Sequence, residues 1–511
     1  MKKRQVSSLS LLICLVMVIT VFITGCGGNG ASSGGSSSQK TSNTQTIGGD
    51  DTSQTGDGTQ DTSNGETTEI DEDGQTGPTG SKPGSSGNTT TKPSTGGTKA
   101  PVREVDLKGR TIKIGTVFSE EYNQEPGQSV YSDLFRQKEI EVENMFNCKI
   151  EFVRIAPGSV ETIIANAVQA NSAPYDLVEA DIASVRNLSR AKALIDQKTL
   201  SAINLNDKRF IKAVNDSYTF NGKVFGSGFE NGSITGVLFN KRILQANKQP
   251  DIYKLYDKGE WTFEAFRQIA KATTTPYKDD KTRDVYGITG ATNIIGLALT
   301  SNAGATVSRN SSGKYVIDMA SEKGVDAMNW VRQLMFEDSV YDYTLTDWKG
   351  AVNHFAEGKA TFFPFYAWIA RDLSQTMIDD IGFVPFPKGP GQSTYINGLY
   401  GGKAFIFPKV VKNPNDVAKV YYEYASVSAK LWQVLESQYK GWGFDDKSFT
   451  IFKDVATKYS RPEFSVGPDY SGFSKEMNES VFKRTGNPAS VMASVKSKFQ
   501  KATDDYYNAF P

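Results

Sequence analysis

The sequence predicts an α/β protein built on a parallel sheet, and two observations support this fold class. Between residues 110 and 181 the hydrophobic pattern changes repeatedly from strand to helix periodicity, in the order β-α-β-α-β. A globular composition begins near residue 101 of the 511 residues. It leaves about 410 residues, enough for two lobes that each have a hydrophobic core.

The alternation can be followed segment by segment. The first predicted strand is "RTIKIG", in which Ile112 and Ile114 alternate with lysine. A helical pattern with many charges ends at Phe146, and "KIEFV" follows as the second strand, preceded by Cys148, which we expect to be buried. "SVETIIANAVQA" has apolar residues at helical spacing, and "YDLVEADIASV" contains a third strand that ends near Ala180.

Polar side chains follow the first and third of these strands. Glu121 and Tyr122 come after the first strand, and Glu179 and Asp181 come at the end of the third. Ligands of open α/β sheets bind outside the carboxyl ends of the strands. Carboxylates there suit a neutral polyol, whose hydroxyl groups donate to them, although solvated loop charges would have the same pattern. No glycine-rich phosphate motif follows the first strand, so a nucleotide is not indicated.

The N-terminus predicts export and a lipid anchor. Residues 2–4 are basic, and the apolar run over residues 9–23 is short for a membrane span. The stretch "ITGC" that ends at Cys26 is similar to a bacterial lipobox, which implies a signal peptide over residues 1–25 and a diacylated Cys26. We therefore expect a protein held in the bilayer by this lipid on the outer face of the cytoplasmic membrane, in a Gram-positive type of cell.

Residues 26–100 predict a disordered tether. The segment contains no aromatic residue, and Ile47 and Ile70 are its only larger aliphatic residues in a background of Gly, Ser, Thr, Asp and Gln. Such a composition cannot offset its ordering entropy by burial. Its r.m.s. reach as a flexible linker would be about 45–50 Å, which would let the folded part, residues 101–511, stand away from the membrane.

The composition argues against several classes of function. Basic and acidic residues are equal in number, 57 each, and no basic cluster lies beyond the signal, so we expect no nucleic-acid partner. His354 is the only histidine, and Cys148 is the only cysteine beyond the signal and Cys26, so neither a metal site nor a catalytic triad is predicted. The aspartates of "YKDDKTRDVYG" lack the glycine and closing glutamate of a calcium loop. We expect no cofactor.

An ordered set of motifs carries a family resemblance. Asn221-Gly222 predicts a turn within "FNGKVFGSGFENGSITGVLFNKRIL", and Thr262 can cap the helix in "WTFEAFRQIAKATT", with Trp261 and Phe266 as a hydrophobic staple. These stretches, followed in order by "YGI", "FAEGKATFF", "DIGFVPFPKGPG" and "GGKAFIFPKVVKNP", resemble extracellular solute-binding proteins of the sugar ABC transporter type, the maltose-binding protein group. The chain departs from that family where Gly228 or Phe229 stands for a common proline, and in "FNK" for "YNK" at residues 239–241.

The resemblance implies a two-lobed periplasmic-binding-protein-like fold with a ligand cleft between the lobes. Lobe 1 would comprise about 105–230 and 400–440, and lobe 2 about 235–395 and 445–511. Two hinge strands would cross near residues 229–235 and 395–402. The cleft would be faced by Glu230, Asn231 and Tyr400.

The implied function is capture of a carbohydrate, an oligosaccharide, by hinge closure and its delivery to an ABC permease by a monomer that is not an enzyme. Three alternatives stay open. Another solute such as a peptide suits the same fold. A tethered glycoside hydrolase needs two carboxylates, which Glu121, Glu179, Asp181 and Glu230 could supply. A structural surface protein would also suit the tether.

Aromatic residues suggest where a sugar would stack. In "FFPFYAW" we assign Phe362, Phe363 and Phe365 to the core, and we expect Pro364 at a sheet edge or at the strand end. Tyr366 and Trp368 come after the proline and are predicted to face the sugar. Relatives of the sugar-binding type have a cleft-facing tryptophan at the position that Trp368 matches. Trp442, between two glycines, is a second stacking candidate.

Overall fold

The computed structural model describes residues 105–511 except for residues 233, 279–281, 291–292, 346, 400–401 and 465–469. The predicted signal peptide, the lipidated Cys26 and the tether lie outside these residues, and so does Tyr400. Within the described ranges, none of the helices has the length and apolar content that crossing a bilayer requires.

Strands and helices alternate along most of the described chain. The strands are β1 (Arg110–Thr116), β2 (Cys148–Arg154), β3 (Leu177–Ala180), β4 (Thr219–Phe220), β5 (Lys223–Val224), β6 (Thr235–Asn240), β7 (Tyr286–Thr289), β8 (Ser308–Arg309), β9 (Tyr315–Val316), β10 (Tyr341–Asp342), β11 (Ala360–Tyr366), β12 (Ile381–Val384), β13 (Asn397–Leu399), β14 (Ala404–Ile406) and β15 (Ser460–Pro462). The helices are α1 (Ser119–Tyr122), α2 (Val130–Phe146), α3 (Val160–Gln169), α4 (Ile182–Arg190), α5 (Lys212–Ser217), α6 (Lys241–Ala246), α7 (Ile252–Asp257), α8 (Phe263–Thr273), α9 (Asn293–Ala303), α10 (Glu322–Arg332), α11 (Trp348–Ala356), α12 (Ala370–Thr376), α13 (Pro414–Tyr424), α14 (Ser428–Gly441), α15 (Asp446–Asp454), α16 (Tyr470–Phe482) and α17 (Pro488–Asn508).

The first sheet has the strand order β2-β1-β3-β14. Strand β1 pairs in parallel with both β2 and β3, which confirms the predicted β-α-β-α-β arrangement. Strand β14 comes from much later in the chain and pairs antiparallel with β3, with Ala404 opposite Ala180. The chain therefore returns to its first sheet after all five strands of the second sheet have been built.

Local sequence explains why these elements begin and end where they do. Ile112 and Ile114 are buried on β1, while Lys113 between them is exposed. The Ser129 hydroxyl accepts a hydrogen bond from the amide of Ser132 and so caps α2. Asn147 ends that helix in the left-handed conformation, with φ 49°. The next residue, Cys148, is buried as predicted, and burial raises the pKa of its thiol to about 11.

The second sheet has the strand order β10-β7-β11-β6-β12. Strand β7 pairs in parallel with β10 and with β11, and β6 pairs antiparallel with β11 and β12. Thr262 caps α8, and the buried Trp261 ring packs edge-on against Phe266, as the predicted staple requires. The Asn221-Gly222 turn, with φ of 46° and 76°, joins β4 to β5.

Strand β11 contains the phenylalanine-rich stretch. Phe362, Phe363 and Phe365 are buried, as predicted. The prediction of an edge position for Pro364 is wrong, because β11 lies between β7 and β6. The pairing with β7 ends at Phe362, so the missing N–H of Pro364 falls beyond that ladder, and the proline remains paired opposite Val237 on β6.

Two segments of the chain cross between the sheets, residues 225–234 from β5 to β6 and residues 385–403 from β12 to β14. The side-chain oxygen of Asn397 accepts from the amide and the hydroxyl of Thr235, at 3.0 and 2.5 Å. The Ser460 hydroxyl oxygen accepts from the amide groups of both Asn397 and Asn231, each at 3.0 Å. We call Asn231, Thr235, Asn397 and Ser460 the crossing cluster. The lobe boundaries given above remain a prediction.

Trp261 provides a test of the packing. Its ring is fully buried against Phe266 and Phe362, and its Nε1 donates to the carbonyl of Pro385. We expect Trp261→Ala to lower the free energy of unfolding by about 3–5 kcal/mol through the cavity and the lost transfer energy. Urea unfolding followed by circular dichroism measures it. The half-exposed Trp432 is the control, and an equal loss for Trp432→Ala would contradict the assignment.

Ser460 provides a test of the crossing cluster. Its buried hydroxyl accepts two hydrogen bonds and donates one to the carbonyl of Val455. We expect Ser460→Ala to cost about 1–3 kcal/mol of stability, because the removed hydroxyl leaves buried polar groups without these bonds. The matched control is Ser494→Ala, where an exposed helical hydroxyl is lost. Equal unfolding midpoints for the two variants would show that the cluster does not stabilise the fold.

Candidate ligand-binding site

Four of the predicted site residues lie together at the carboxyl edge of the first sheet. They form, with two residues that the sequence did not point to, the Lys403 cluster: Glu121, Tyr122, Tyr131, Glu179, Glu230 and Lys403. Adjacent parallel strands end at the same edge, which brings Glu121, after β1, next to Glu179 on β3. Lys403 immediately precedes β14, whose pairing with β3 delivers it to the same place.

Hydrogen bonds and an ion pair hold the cluster together. The Lys403 ammonium lies 2.5 Å from a carboxylate oxygen of Glu121 and 4.1 Å above the centre of the Phe118 ring. Tyr122 and Thr116 donate to the two carboxylate oxygens of Glu179, at 2.8 and 2.6 Å. A second supporting contact runs from the Tyr131 hydroxyl to Glu230.

The hydrogen bond from the Tyr131 hydroxyl to the Glu230 carboxylate is 2.6 Å long and joins α2 to the first crossing segment. Tyr131 and Glu230 are both half-buried. A charge-assisted hydrogen bond of this kind orients the carboxylate more firmly than a neutral one would. The remaining lone pairs of the Glu230 carboxylate can accept from a ligand.

The electrostatics of the cluster are set by burial and by mutual charge. Burial raises the pKa values of the Glu179 and Glu230 carboxyl groups, and the charge of Lys403 opposes this rise. Burial by itself lowers the pKa of Lys403, but Glu121, Glu179 and Glu230 together raise it well above its usual value. The lysine is therefore charged at neutral pH, and three carboxyl groups share it.

Exposure separates the cluster into a surface and a supporting layer. The side chains of Lys403 and Glu121 are 20% and 23% exposed, so a ligand in the cleft can reach them. Glu179 is 1% exposed and Tyr122 is 3% exposed. Tyr122 also stacks on Phe152 with ring centres 4.1 Å apart. These two predicted ligand contacts therefore lie beneath the surface, where they support the exposed groups.

Two other predicted ligand residues have structural roles. The Asp181 carboxylate accepts from the amide and the hydroxyl of Ser184, at 3.0 and 2.8 Å, and so caps α4. Asn231 is buried and belongs to the crossing cluster. Asp181 is predicted from its position at a strand end, and Asn231 from the hinge that the family resemblance implies. A helix cap and a buried bond between crossing segments need the same residue types.

Half-exposed aromatic rings gather at the end of β11. Tyr366 and Trp368 lie with their ring centres 6.2 Å apart and their planes 23° from parallel. Trp348, at the start of α11, meets Trp368 edge to face at 6.2 Å. We call Trp348, Tyr366 and Trp368 the aromatic group. Buried Phe365 packs under Trp348 and Trp368, so the rings have a fixed base.

Trp442 lies apart from the aromatic group. It forms the C-terminal cap of α14 and packs edge-on against Tyr439 at 4.9 Å. Among the described residues, no ring contact joins it to Trp368. Burial raises the pKa of Tyr439, the charge of Glu230 adds to this rise, and Arg371 opposes it. Helix α14 thus lies within the electrostatic reach of the Lys403 cluster.

Sequence reasoning missed Lys403, Tyr131 and Trp348. Lys403 stands in "GGKAFIF", directly before a short apolar strand, and a basic residue at that point is the one local signal. Tyr131 is in the first turn of the helix that follows the first strand end. Trp348 is separated from Trp368 by a whole strand and helix. Only the tertiary pairing of α11 with β11 brings these two rings together.

The described residues contain no candidate metal site. In that part of the chain, no three His, Cys, Asp or Glu side chains are grouped so that they could hold a metal ion. His354 lies on α11 and is half-buried, with Nδ1 3.4 Å from the Thr289 hydroxyl oxygen. Burial lowers the pKa of His354.

Comparison with solved structures identifies the fold. UspC of M. tuberculosis superimposes with a TM-score of 0.58 at 15% identity, over 78% of this chain and 100% of that chain. A cyclo/maltodextrin-binding protein solved with maltotetraose gives 0.58 at 16%, over 78% and 98%. The cyclic alpha-maltosyl-1,6-maltose binding protein from Arthrobacter globiformis gives 0.57 at 11%, over 78% and 100%. These likenesses establish the two-lobed periplasmic-binding-protein fold that the sequence predicts.

The sequence itself matches a family as well. No curated protein sequence matches this chain. The profile of the bacterial extracellular solute-binding proteins matches residues 140–441, more than half of the 511 residues. The chain therefore belongs to the family of bacterial extracellular solute-binding proteins.

Proposed function

We propose that this protein is the substrate-binding component of an ABC importer and that it captures an oligosaccharide between its two lobes. The observation that carries the proposal is the pairing of two kinds of surface. The Lys403 cluster offers carboxylates at the edge of the first sheet, and the aromatic group offers half-exposed rings at the end of a strand in the second. A sugar needs both, since it has hydroxyl groups at its rim and C–H patches on its faces.

Each part of the site would have a distinct task. Glu121 and Glu230 accept hydrogen bonds from sugar hydroxyls, and Tyr131 and Lys403 hold these two carboxylates in place. Trp368 and Tyr366 stack on a pyranose face, and Trp348 fixes the angle of Trp368. Tyr400 and Trp442 are further contacts that we propose for the same ligand. Of two solved proteins with the same fold, one is complexed with maltotetraose and the other is a cyclic alpha-maltosyl-1,6-maltose binding protein. Both support an oligosaccharide as the ligand.

Capture requires a change of shape. The two crossing segments connect the sheets, and we propose that rotation about them closes the lobes on the sugar. A ligand shifts such an equilibrium only by its difference in affinity for the two states. A sugar that contacts both the Lys403 cluster and the aromatic group would bind the closed state more tightly than the open state. The closed protein, a monomer, is the form that a permease would recognise.

The membrane anchor belongs to the same proposal. The lipobox-like stretch before Cys26 supports diacylation and attachment to the outer face of the cytoplasmic membrane, as in Gram-positive cells. The low-complexity residues 26–100 would let the binding domain reach its permease. Membership of an extracellular solute-binding family agrees with this side of the membrane.

We propose binding without catalysis. A retaining or inverting glycoside hydrolase needs two carboxyl groups that reach the scissile bond. Glu179 is buried, and both of its oxygens accept hydrogen bonds from Tyr122 and Thr116. Asp181 caps a helix. Glu121 is paired with Lys403 and Glu230 accepts from Tyr131, so each of the four carboxylates already has a protein partner.

The experiment is a calorimetric titration of the mature protein against mono-, di- and oligosaccharides, with di- to pentapeptides as a second panel. We expect saturable heat with at least one oligosaccharide and none with peptides. Binding of peptides alone would make the carbohydrate assignment wrong. New reducing ends after prolonged incubation would show a hydrolase, and no saturable binding in either panel would favour a structural surface protein.

Trp368 provides the mutational test of the aromatic group. We expect Trp368→Ala to weaken oligosaccharide binding by about 10- to 100-fold, because a stacking residue at the centre of a site contributes about 1.4–2.7 kcal/mol. The same titration measures this change. Trp432→Ala is the matched control, since Trp432 packs on Phe452 and under Lys453. Unchanged affinity in a folded Trp368→Ala variant would remove the ring from the site.

A further inference from the structure

Lys403 joins parts of the chain that are far apart in sequence. It stands at the end of the second crossing segment, two residues before Phe405, which pairs directly with Glu179. Since residues two apart on a strand share a face, Lys403 lies on the face of the sheet from which the Glu179 side chain projects. Its ammonium pairs with Glu121, and Glu230 on the first crossing segment is also within its electrostatic reach.

We propose that Lys403 is a positioning residue of the cleft: its ammonium is the internal counter-ion that keeps Glu179, in the supporting layer, and Glu230, at the surface of the site, ionised at neutral pH. The ligand part of this inference rests on the proposed function. The part that concerns ionisation does not, and it can be tested without any ligand.

The strand register supports a counter-ion more than a simple tie between β14 and α1, because it places Lys403 on the face of the sheet from which the Glu179 side chain projects. A tie would need one partner, and Glu121 supplies it. The charge of Lys403 also opposes the rise that burial causes in the pKa values of Glu179 and Glu230, which lie on different segments. The oxygens of these two carboxylates accept from the neutral hydroxyl donors Thr116, Tyr122 and Tyr131. Lys403 is thus the positive charge that the buried Glu179 and the half-buried Glu230 share, and it opposes the rise of both pKa values.

The other titratable groups around the cluster do not replace this cation. Tyrosines from four helices and the residue after α5 lie near the carboxylates, and burial raises the pKa of each, so they stay neutral and donate or pack: Tyr122, Tyr131, Tyr218, Tyr421, Tyr424 and Tyr439. Arg371 and Arg186 act on Tyr439 and Tyr218. Glu139 and Asp181 add negative charge near Tyr424 and Tyr218.

The pH dependence follows with a definite sign. The folded pKa values of Glu179 and Glu230 are raised, so the folded state holds these protons more tightly than the unfolded state does. Stability from this source is present below the usual carboxyl pKa of about 4.3 and is lost as pH rises through the folded values. Lys403 reduces that loss. Removing its charge will therefore destabilise the protein at neutral pH much more than in acid.

The test compares thermal midpoints of the full ligand-free chain at about pH 4 and about pH 8. We expect Lys403→Met to lower the thermal midpoint more at about pH 8 than at about pH 4, with a difference of about 3 °C or more. Lys403→Arg keeps the charge and should behave like the wild type. Lys409→Met removes an exposed lysine just beyond the same strand and is the matched control.

A second variant distinguishes the loss of the Lys403 charge from misfolding. In Lys403→Met/Glu230→Gln one charge of each sign is removed, and we expect it to recover much of the midpoint at about pH 8. An effect of Lys403→Met that is equal at both pH values, or no recovery in the double variant, would overturn the inference and leave Lys403 as a simple tie.

The ligand part uses an oligosaccharide that binds in the panel above. Its affinity for the wild type should fall in acid, and Lys403→Met should move the midpoint of that fall toward neutral pH. The same midpoint in both proteins would overturn the role of Lys403 in binding. If no sugar binds while the ligand-free pattern is as expected, the proposed function fails and the counter-ion role stands.

Discussion

The antiparallel pairing of β14 with β3 is the interaction on which the rest of the structure depends. It returns the chain to its first sheet after the second sheet has been built, and it places Ala404 opposite Ala180. Because of this register, the residue before β14 arrives at the carboxyl edge, where the polar side chains of β1 and β3 project. A two-lobed protein whose chain crossed only once would have neither Lys403 in this position nor a second segment alongside the first.

The site combines two ways of holding a group in place. In the Lys403 cluster, the partly exposed carboxylates of Glu121 and Glu230 are oriented by the ion pair with Lys403 and by the half-buried Tyr131 hydroxyl. In the aromatic group, half-exposed rings are fixed by a fully packed strand beneath them. Both arrangements hold polar or aromatic groups on a packed base, which lowers the conformational entropy lost when a ligand binds.

The sequence predicts the local parts of this structure well and the distant parts poorly. The parallel strands, the turn at Asn221-Gly222 and the cap at Thr262 depend on a few neighbouring residues, so pattern reasoning is sufficient. Pro364 was misplaced because its tolerance on a central strand depends on where the β7 ladder ends. The structural roles of Asp181, which caps α4, and of Asn231, which bonds within the crossing cluster, could not be predicted because capping, buried bonding and ligand binding use the same side-chain types. Lys403 could not be found without the register of β14 on β3.

The crossing cluster has a mechanical consequence. One hydroxyl, that of Ser460, accepts from the amides of Asn231 and Asn397, which belong to the two segments that connect the sheets. The segments are also joined directly between Thr235 and Asn397. They therefore cannot slide past one another without breaking several buried bonds at once. These bonds therefore favour joint movement of the two segments over movement of either segment alone.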